Sequence, residues 1–431
     1  MLDVLSKLIT EGENMFENFI AILKEELVPA LGCTEPIAIA YAASKAREVL
    51  GEFPEKITVE CSGNIIKNVK GVTVPTTNNL KGIDISAILG VVGGNASKKL
   101  EVLSEVKDEH IEKTKELAES GICEVKHIKN VENLYINVIL KAKEHDASVT
   151  ISNGHTNIVK IMKDGMIILE NNDSVVQESK IDKSNLNIKN IYEFANTVDV
   201  NLLKDVLNKQ IEYNTKIAEE GLKNKYGANV GESLLKYYGS DVKILAKAYA
   251  AAGSDARMSG CTLPVVINSG SGNQGITVSI PIIVYAQHLN VGMEKLYRAL
   301  TLSNLIAIHQ KKGLGKLSAY CGAVSAACGA GAGIAYLHGE SFEIITRTIT
   351  NTIANVSGIV CDGAKPSCAA KIASSVDAAI MGYHMAINGN TFACGEGLVK
   401  EDIEETIDSI CKMGKDGMKE TDIEIINLMI S

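Results

Sequence analysis

The chain has 431 residues, enough to bury a large core and to form two or three domains or subdomains. With 46% apolar and 22% charged residues it has the composition of a folded globular chain rather than a disordered one. Its formal charge of −9 argues against nucleic acid or an anionic lipid surface as the principal partner.

Met1–Lys7 meets charges too early for the apolar core of a secretory signal, so the chain is expected to be cytoplasmic. Glu11–Leu31 carries helical spacing (Phe16, Phe19, Ile20, Leu23, Leu27) and a helix is predicted there. A second helix opens at Thr34-Glu35-Pro36 and runs through Ala38–Leu50, with Thr as N-cap and Glu and Pro suited to the first turn. Lys56–Cys61 alternates like a strand and stops at Ser62-Gly63-Asn64. After a predicted helix over Ser97–Ser120 come strand-like runs at Ile122–Ile128, Leu134–Ala142, Ala147–Ser152, Asn157–Met162 and Met166–Leu169, with Asp164-Gly165 as a tight hairpin signal.

Asn171–Asn190 is polar and weakly patterned and reads as a linker. Beyond it the pattern is helical almost to the end: an amphipathic stretch near Val200–Tyr238, apolar segments rich in Gly and Ala, and an acidic helix around Glu401–Met413. Two stretches, Met258–Met293 and Leu317–Gly339, contain no Asp, Glu, Lys or Arg. The first is broken by Pro264, Asn268, Ser269–Gly275 and Pro281, and the second is dominated by Gly, Ala and Ser, so buried helices explain them better than membrane spans. No Trp and 37 Gly favour closely packed helices. The expected fold is α+β: residues 1–175 form an N-terminal α/β portion with a mainly antiparallel sheet, and residues 190–431 form an all-helical domain.

Three places can carry chemistry. Cys33, at the predicted start of the second helix, would lie beside unpaired N–H groups and the positive end of the helix dipole, an environment that lowers a thiol pKa; the alternative is a small residue filling a helix start. Cys361-Asp362-Gly363-Ala364-Lys365-Pro366-Ser367-Cys368 cannot be one uninterrupted helix. A loop-borne pair completed by distant Cys321 can supply three thiolates to an iron–sulfur cluster, although scattered buried thiols also fit, and Cys328 reads as core. Ser269-Gly270-Ser271-Gly272-Asn273-Gln274-Gly275 contains G-x-G-x-x-G, but no alternating βαβ pattern surrounds it. It reads either as an anion-binding turn or as an ordinary connection between buried helices. Ser62-Gly63-Asn64, Pro75–Asn79 and Asn153-Gly154-His155-Thr156-Asn157 read as polar turns.

Four segments, PALGCTEPIAIAYA (29–42), SGSGNQGI (269–276), YCGAVSAACGAGAG (320–333) and CDGAKPSCAAK (361–371), resemble the L-cysteine desulfidase family, which is similar in its helical part to the iron–sulfur L-serine dehydratase α domain. The resemblance implies a [4Fe-4S] cluster held by Cys321, Cys361 and Cys368 with one iron left for substrate, and Cys33 as catalytic base. It implies β-elimination of L-cysteine to hydrogen sulfide, ammonia and pyruvate, without pyridoxal phosphate. Iron–sulfur serine dehydratases bring a C-terminal cysteine to the free iron; this sequence ends Leu428-Met429-Ile430-Ser431, which favours a thiol substrate. Ser62, Asn64, Asn273, Gln274 and His155 are the candidates for holding the substrate carboxylate. The expected assembly is a homo-oligomer, a dimer, with neither nucleic acid nor membrane as partner. The alternatives are a serine dehydratase and a non-catalytic metal or amino-acid binding protein.

Overall fold

The structure, a computed structural model, describes residues 15–77, 79–171, 181–315 and 317–430. A first helix, α1, covers 15–26 and gives way to a short strand, β1 (Pro29–Leu31). The helix expected over Glu11–Leu31 therefore ends early, where Pro29 interrupts helical hydrogen bonding and the next residues pair with a distant strand. Residues 11–14 of that expectation lie outside the described residues. Helix α2 (Thr34–Leu50) begins within a residue of the predicted position, with Cys33 rather than Thr34 as its N-cap, and stops at Gly51, whose φ of 85° a side chain would disfavour.

Alternation dictates the sheet. In β2 (Lys56–Cys61), Ile57, Val59 and Cys61 are buried and the intervening residues are not. With β3 (Cys123–His127), β4 (Tyr135–Ala142), β5 (His145–Ser152), β6 (Ile158–Lys163) and β7 (Met166–Glu170), it forms a six-stranded sheet in the order β3-β2-β4-β5-β6-β7. All neighbours are antiparallel except β2 and β3. That parallel pair needs a crossover, supplied by α3 (Gly63–Val69), α4 (Ile83–Gly93) and α5 (Asp108–Glu119). The predicted hairpin at Asp164-Gly165 forms with positive φ at both residues. Helix α2 covers the sheet at β4 and β5 and is itself roofed by α4. A Cβ on Gly90 would stand 2.4 Å from the Ala40 carbonyl oxygen, so this crossing requires glycine.

Two expectations in this half change. Ser62-Gly63-Asn64 is the start of α3, with the Ser62 hydroxyl accepting from the Ile65 N–H. The helix expected over Ser97–Ser120 is interrupted: Lys99 takes φ 49° within a short turn, and α5 starts only at Asp108. Residues 172–180 of the expected linker lie outside the described residues, and its last residues already belong to α6 (Ile188–Thr197).

The amphipathic stretch divides into α7 (Lys204–Lys223) and α8 (Val230–Tyr238). After α9 (Val242–Met258) comes a strand, β8 (Pro264–Val266), then α10 (Gly272–His288), α11 (Met293–Leu314), α12 (Ala323–His338), α13 (Phe342–Asn355), α14 (Cys368–Ile387), α15 (Ile403–Lys412) and α16 (Lys419–Ile430). Residues 190–431 are thus not all helical. β8 pairs antiparallel with β1, Pro29 opposite Val266, and this ribbon joins the two halves of the chain. Helix α12 runs among α10, α11, α13 and α14. Its glycines permit this: a Cβ on Gly329 would lie 2.4 Å from the Ser303 carbonyl oxygen of α11, and one on Gly333 would lie 2.3 Å from Ile282 Cδ1 of α10. Among the described residues no helix is long and apolar enough to cross a membrane.

Candidate active site

The β1–β8 ribbon sets two helix starts side by side. β1 runs through Gly32 into Cys33, the N-cap of α2, and β8 runs through Asn268–Ser271 into α10. The Thr34 hydroxyl donates to the Gly270 carbonyl at 3.0 Å, tying the two turns together. Buried Asn214 of α7 fixes the second turn by accepting from Val266 N–H (2.9 Å) and donating to Gly275 O (3.0 Å).

Two other segments meet this frame. A single bridge pairs Tyr320 with Val360, with Cys321 N–H bonded to Ile359 O (2.8 Å) and Cys361 N–H to Ala319 O (2.7 Å). The chain then turns through Gly363, at φ 93°, so close to α3 that a Cβ would lie 2.0 Å from the Lys67 carbonyl oxygen. Cys368 follows as the first residue of α14, its thiol 3.7 Å from Gly363 O. Cys33, Cys321, Cys361 and Cys368 all line one cavity of about 100 Å³. Cys33 also packs against Cys368 with Val72 and Met258. Cys328 lies fully buried within α12 and does not reach the cavity.

Electrostatics divide the four thiols. Cys321 and Cys361 interact closely: Cys361 is pushed down by Cys321 and by the Lys67 and Lys311 ammoniums, while Cys321 is pushed up by Cys361 and by burial. Burial raises Cys368. Lys311, itself buried in the cavity wall, is lowered by burial against the opposing pull of Cys361 and Cys321. Cys33 departs from expectation. It does cap α2, but burial and the Glu35 carboxylate raise its pKa well above the ordinary thiol range, outweighing the helix dipole and Arg257. Its Sγ donates to Glu35 Oε2 at 3.0 Å.

Burial alone would raise Glu35, yet its carboxyl is held at about 2 by His155 and by the Cys33 hydrogen bond. His155 Nε2 lies 3.8 Å from Glu35 Oε1, which also accepts from Asn68 Nδ2 at 3.3 Å. His155, Asn273 and Gln274 all line the cavity. Ser62 and Asn64 do not. They line a neighbouring groove of about 1010 Å³ between α3 and α16, which meets the cavity at Leu317 and Ser318. The Ser62 hydroxyl is spent on the Asn133 carbonyl (2.6 Å), and Asn64 Nδ2 donates to Asp422 (3.0 Å). Sequence reasoning missed Arg257, Lys311 and Asn68 in the cavity wall and read Glu35 only as a helix-start residue. Arg257 carried a usable signal: the chain has four arginines, and this one sits in the Ala-rich run 246–258.

A mixed sheet and a helical bundle thus meet at one cavity lined by four cysteines. Residues 97–427 match the family described as serine dehydratase alpha chain. Near-full-length relatives are UPF0597 proteins: one of Lachnoclostridium phytofermentans is 57% identical over 97% of this chain and 100% of its own length, and one of Desulfitobacterium hafniense is 53% identical over 97% and 98%. Another, of Finegoldia magna, is 51% identical over 96% and 99%. The chain belongs to the serine dehydratase alpha chain family.

Proposed function

We propose that the protein is an L-cysteine desulfidase, a carbon–sulfur lyase that eliminates sulfide from L-cysteine with a [4Fe-4S] cluster. The observation that carries this reading is the convergence of Cys33, Cys321, Cys361 and Cys368 on one cavity. The donor set suits such a cluster. Three thiols from two segments, Cys321 from one and the pair Cys361 and Cys368 from the other, share the cavity wall, and Lys67 and Lys311 supply positive charge beside Cys361. Among the described residues no three His, Cys, Asp or Glu close around a single point as one metal ion demands. Thiolates that each bind a different iron carry no such requirement.

Cys321, Cys361 and Cys368 would hold the cluster. When bound, it supplies a Lewis-acidic iron suited to a soft sulfur ligand. The protein's own residues do the rest. Cys33 takes the Cα proton, and its raised pKa makes its thiolate a strong base while lowering the fraction ionised near neutrality. In the resting site the Cys33 thiol donates to Glu35 Oε2, a bond that holds the sulfur in place, and the base is the thiolate left when that proton is lost. His155, Asn273 and Gln274 provide polar contacts that orient the substrate. Loss of the Cα proton and breakage of the Cβ–S bond yield sulfide and 2-aminoacrylate, which tautomerises and hydrolyses to pyruvate and ammonia.

The family description favours one competing reading, an L-serine dehydratase. Parallel assays of pyruvate release from L-cysteine and L-serine separate the two. The desulfidase reading expects L-cysteine to have the higher kcat/KM, with stoichiometric sulfide. It expects Cys33→Ala to lower kcat by about 10²-fold or more at unchanged iron content. Turnover of L-serine alone would overturn it.

A further inference from the structure

A buried guanidinium without an anion is unfavourable, because burial strips away the water that would solvate the charge. Arg257, near the end of α9, is 2% exposed and lines the thiol cavity. Its Nη1 donates to a neutral acceptor, Asn273 Oδ1, at 3.1 Å, and its Nε has no partner. Among the described residues no carboxylate forms an ion pair with it. Two more buried atoms of cavity-lining residues, Gln274 Oε1 and His155 Nε2, also lack hydrogen-bond partners.

The start of α10 opens on the same space, with Asn273 and Gln274 in its first turn. Its N–H groups and dipole favour negative charge. Position 272 makes room for the arginine: a Cβ on Gly272 would stand 2.3 Å from Arg257 Nε and 2.7 Å from Cζ. The guanidinium lies where it does because that residue is glycine.

We propose that Arg257, oriented by Asn273 and set against the α10 N-terminus, binds the carboxylate of the substrate. This deepens the elimination reading, on which it rests for the reaction, and makes a free carboxylate the feature the cavity selects. An arginine acting here only through Cys33 would treat ligands with and without a carboxylate alike.

The test measures ligand binding by calorimetry, and turnover of L-cysteine, on protein purified without oxygen. The ligands are 3-mercaptopropionate, which has a thiol and a carboxylate, and cysteamine, which has a thiol and no carboxylate. Arg257→Met should weaken 3-mercaptopropionate by about 30-fold or more and leave cysteamine within about threefold. Arg257→Lys should fall between, since an ammonium keeps the charge and loses the planar fork. Gly272→Ala, which displaces the guanidinium without removing it, should give the same ligand-selective loss and guards against a misfolded Arg257→Met. Equal losses for both ligands, or no loss for either, would overturn the assignment. A selective loss in a protein that never releases sulfide would uphold the carboxylate site and defeat the desulfidase reading instead.

Discussion

At the residue scale, Cys33 illustrates how position and environment compete. A helix N-terminus favours thiolate, but here the thiol is buried and a carboxylate faces the sulfur at 3.0 Å, so the protonated form is favoured. The loop-borne pairing of Cys361 and Cys368 was legible in the sequence, because Gly363 and Pro366 rule out a continuous helix between them, whereas grouping them with Cys321 and Cys33 came from the family resemblance. What charge surrounds them was not legible, since Arg257, Lys311 and Lys67 come from three distant helices and only folding assembles them. Asp255 gives a test of buried charge away from the thiols. It accepts from Val230 N–H at 2.7 Å at the start of α8, and burial pushes its carboxyl up to about 6 from an ordinary 3.8. The folded state therefore holds a proton that the unfolded chain releases between those values. The associated stability is fully present below about pH 3.8 and is lost as pH rises through about 6. Chemical denaturation of wild type and Asp255→Asn should show the wild type losing about 2–3 kcal/mol relative to the variant between pH 3.5 and 7. A difference that stays flat across that range would contradict the burial argument.

At the element scale, the strands of the sheet were readable because alternating burial leaves a period-2 trace, as at Ile57, Val59 and Cys61. Helices α10 and α12 were readable as buried, for neither contains Asp, Glu, Lys or Arg and α12 is rich in small residues. Missing from the sequence reading were α3 and α4, whose polar turn residues or continuous burial hide helical periodicity, and the three-residue β1 and β8, too short to leave any. Those short strands position both helix starts of the site, so a weak sequence signal has a large structural consequence. Gly275 tests this joint. A Cβ there would fall 1.9 Å from the Val266 carbonyl oxygen, which belongs to β8 and cannot yield without moving the ribbon. Gly275→Ala should cost about 3 kcal/mol or more in urea unfolding and reduce turnover by displacing Asn273 and Gln274. A neutral substitution would mean that the ribbon does not fix the α10 start.

At the scale of the whole molecule, the cavity lies where the sheet-bearing half meets the helical bundle, and each half contributes what the other lacks. The first half brings Cys33, Glu35 and His155; the second brings Cys321, Cys361, Cys368 and the cationic Arg257 and Lys311. The α+β class follows from the order of patterns along the chain, strands first and helices after. The joint itself does not, because it depends on contacts between residues more than two hundred positions apart, such as Thr34 with Gly270. The central claim is that these thiols form an iron–sulfur site for carbon–sulfur elimination. The most direct measurement is sulfide release from L-cysteine as a function of iron content, in protein purified anaerobically, stripped with chelator and reconstituted. The account predicts about four irons per chain at full activity, activity proportional to iron, and loss of both in Cys361→Ser. Sulfide release at the full rate from iron-free protein would contradict it.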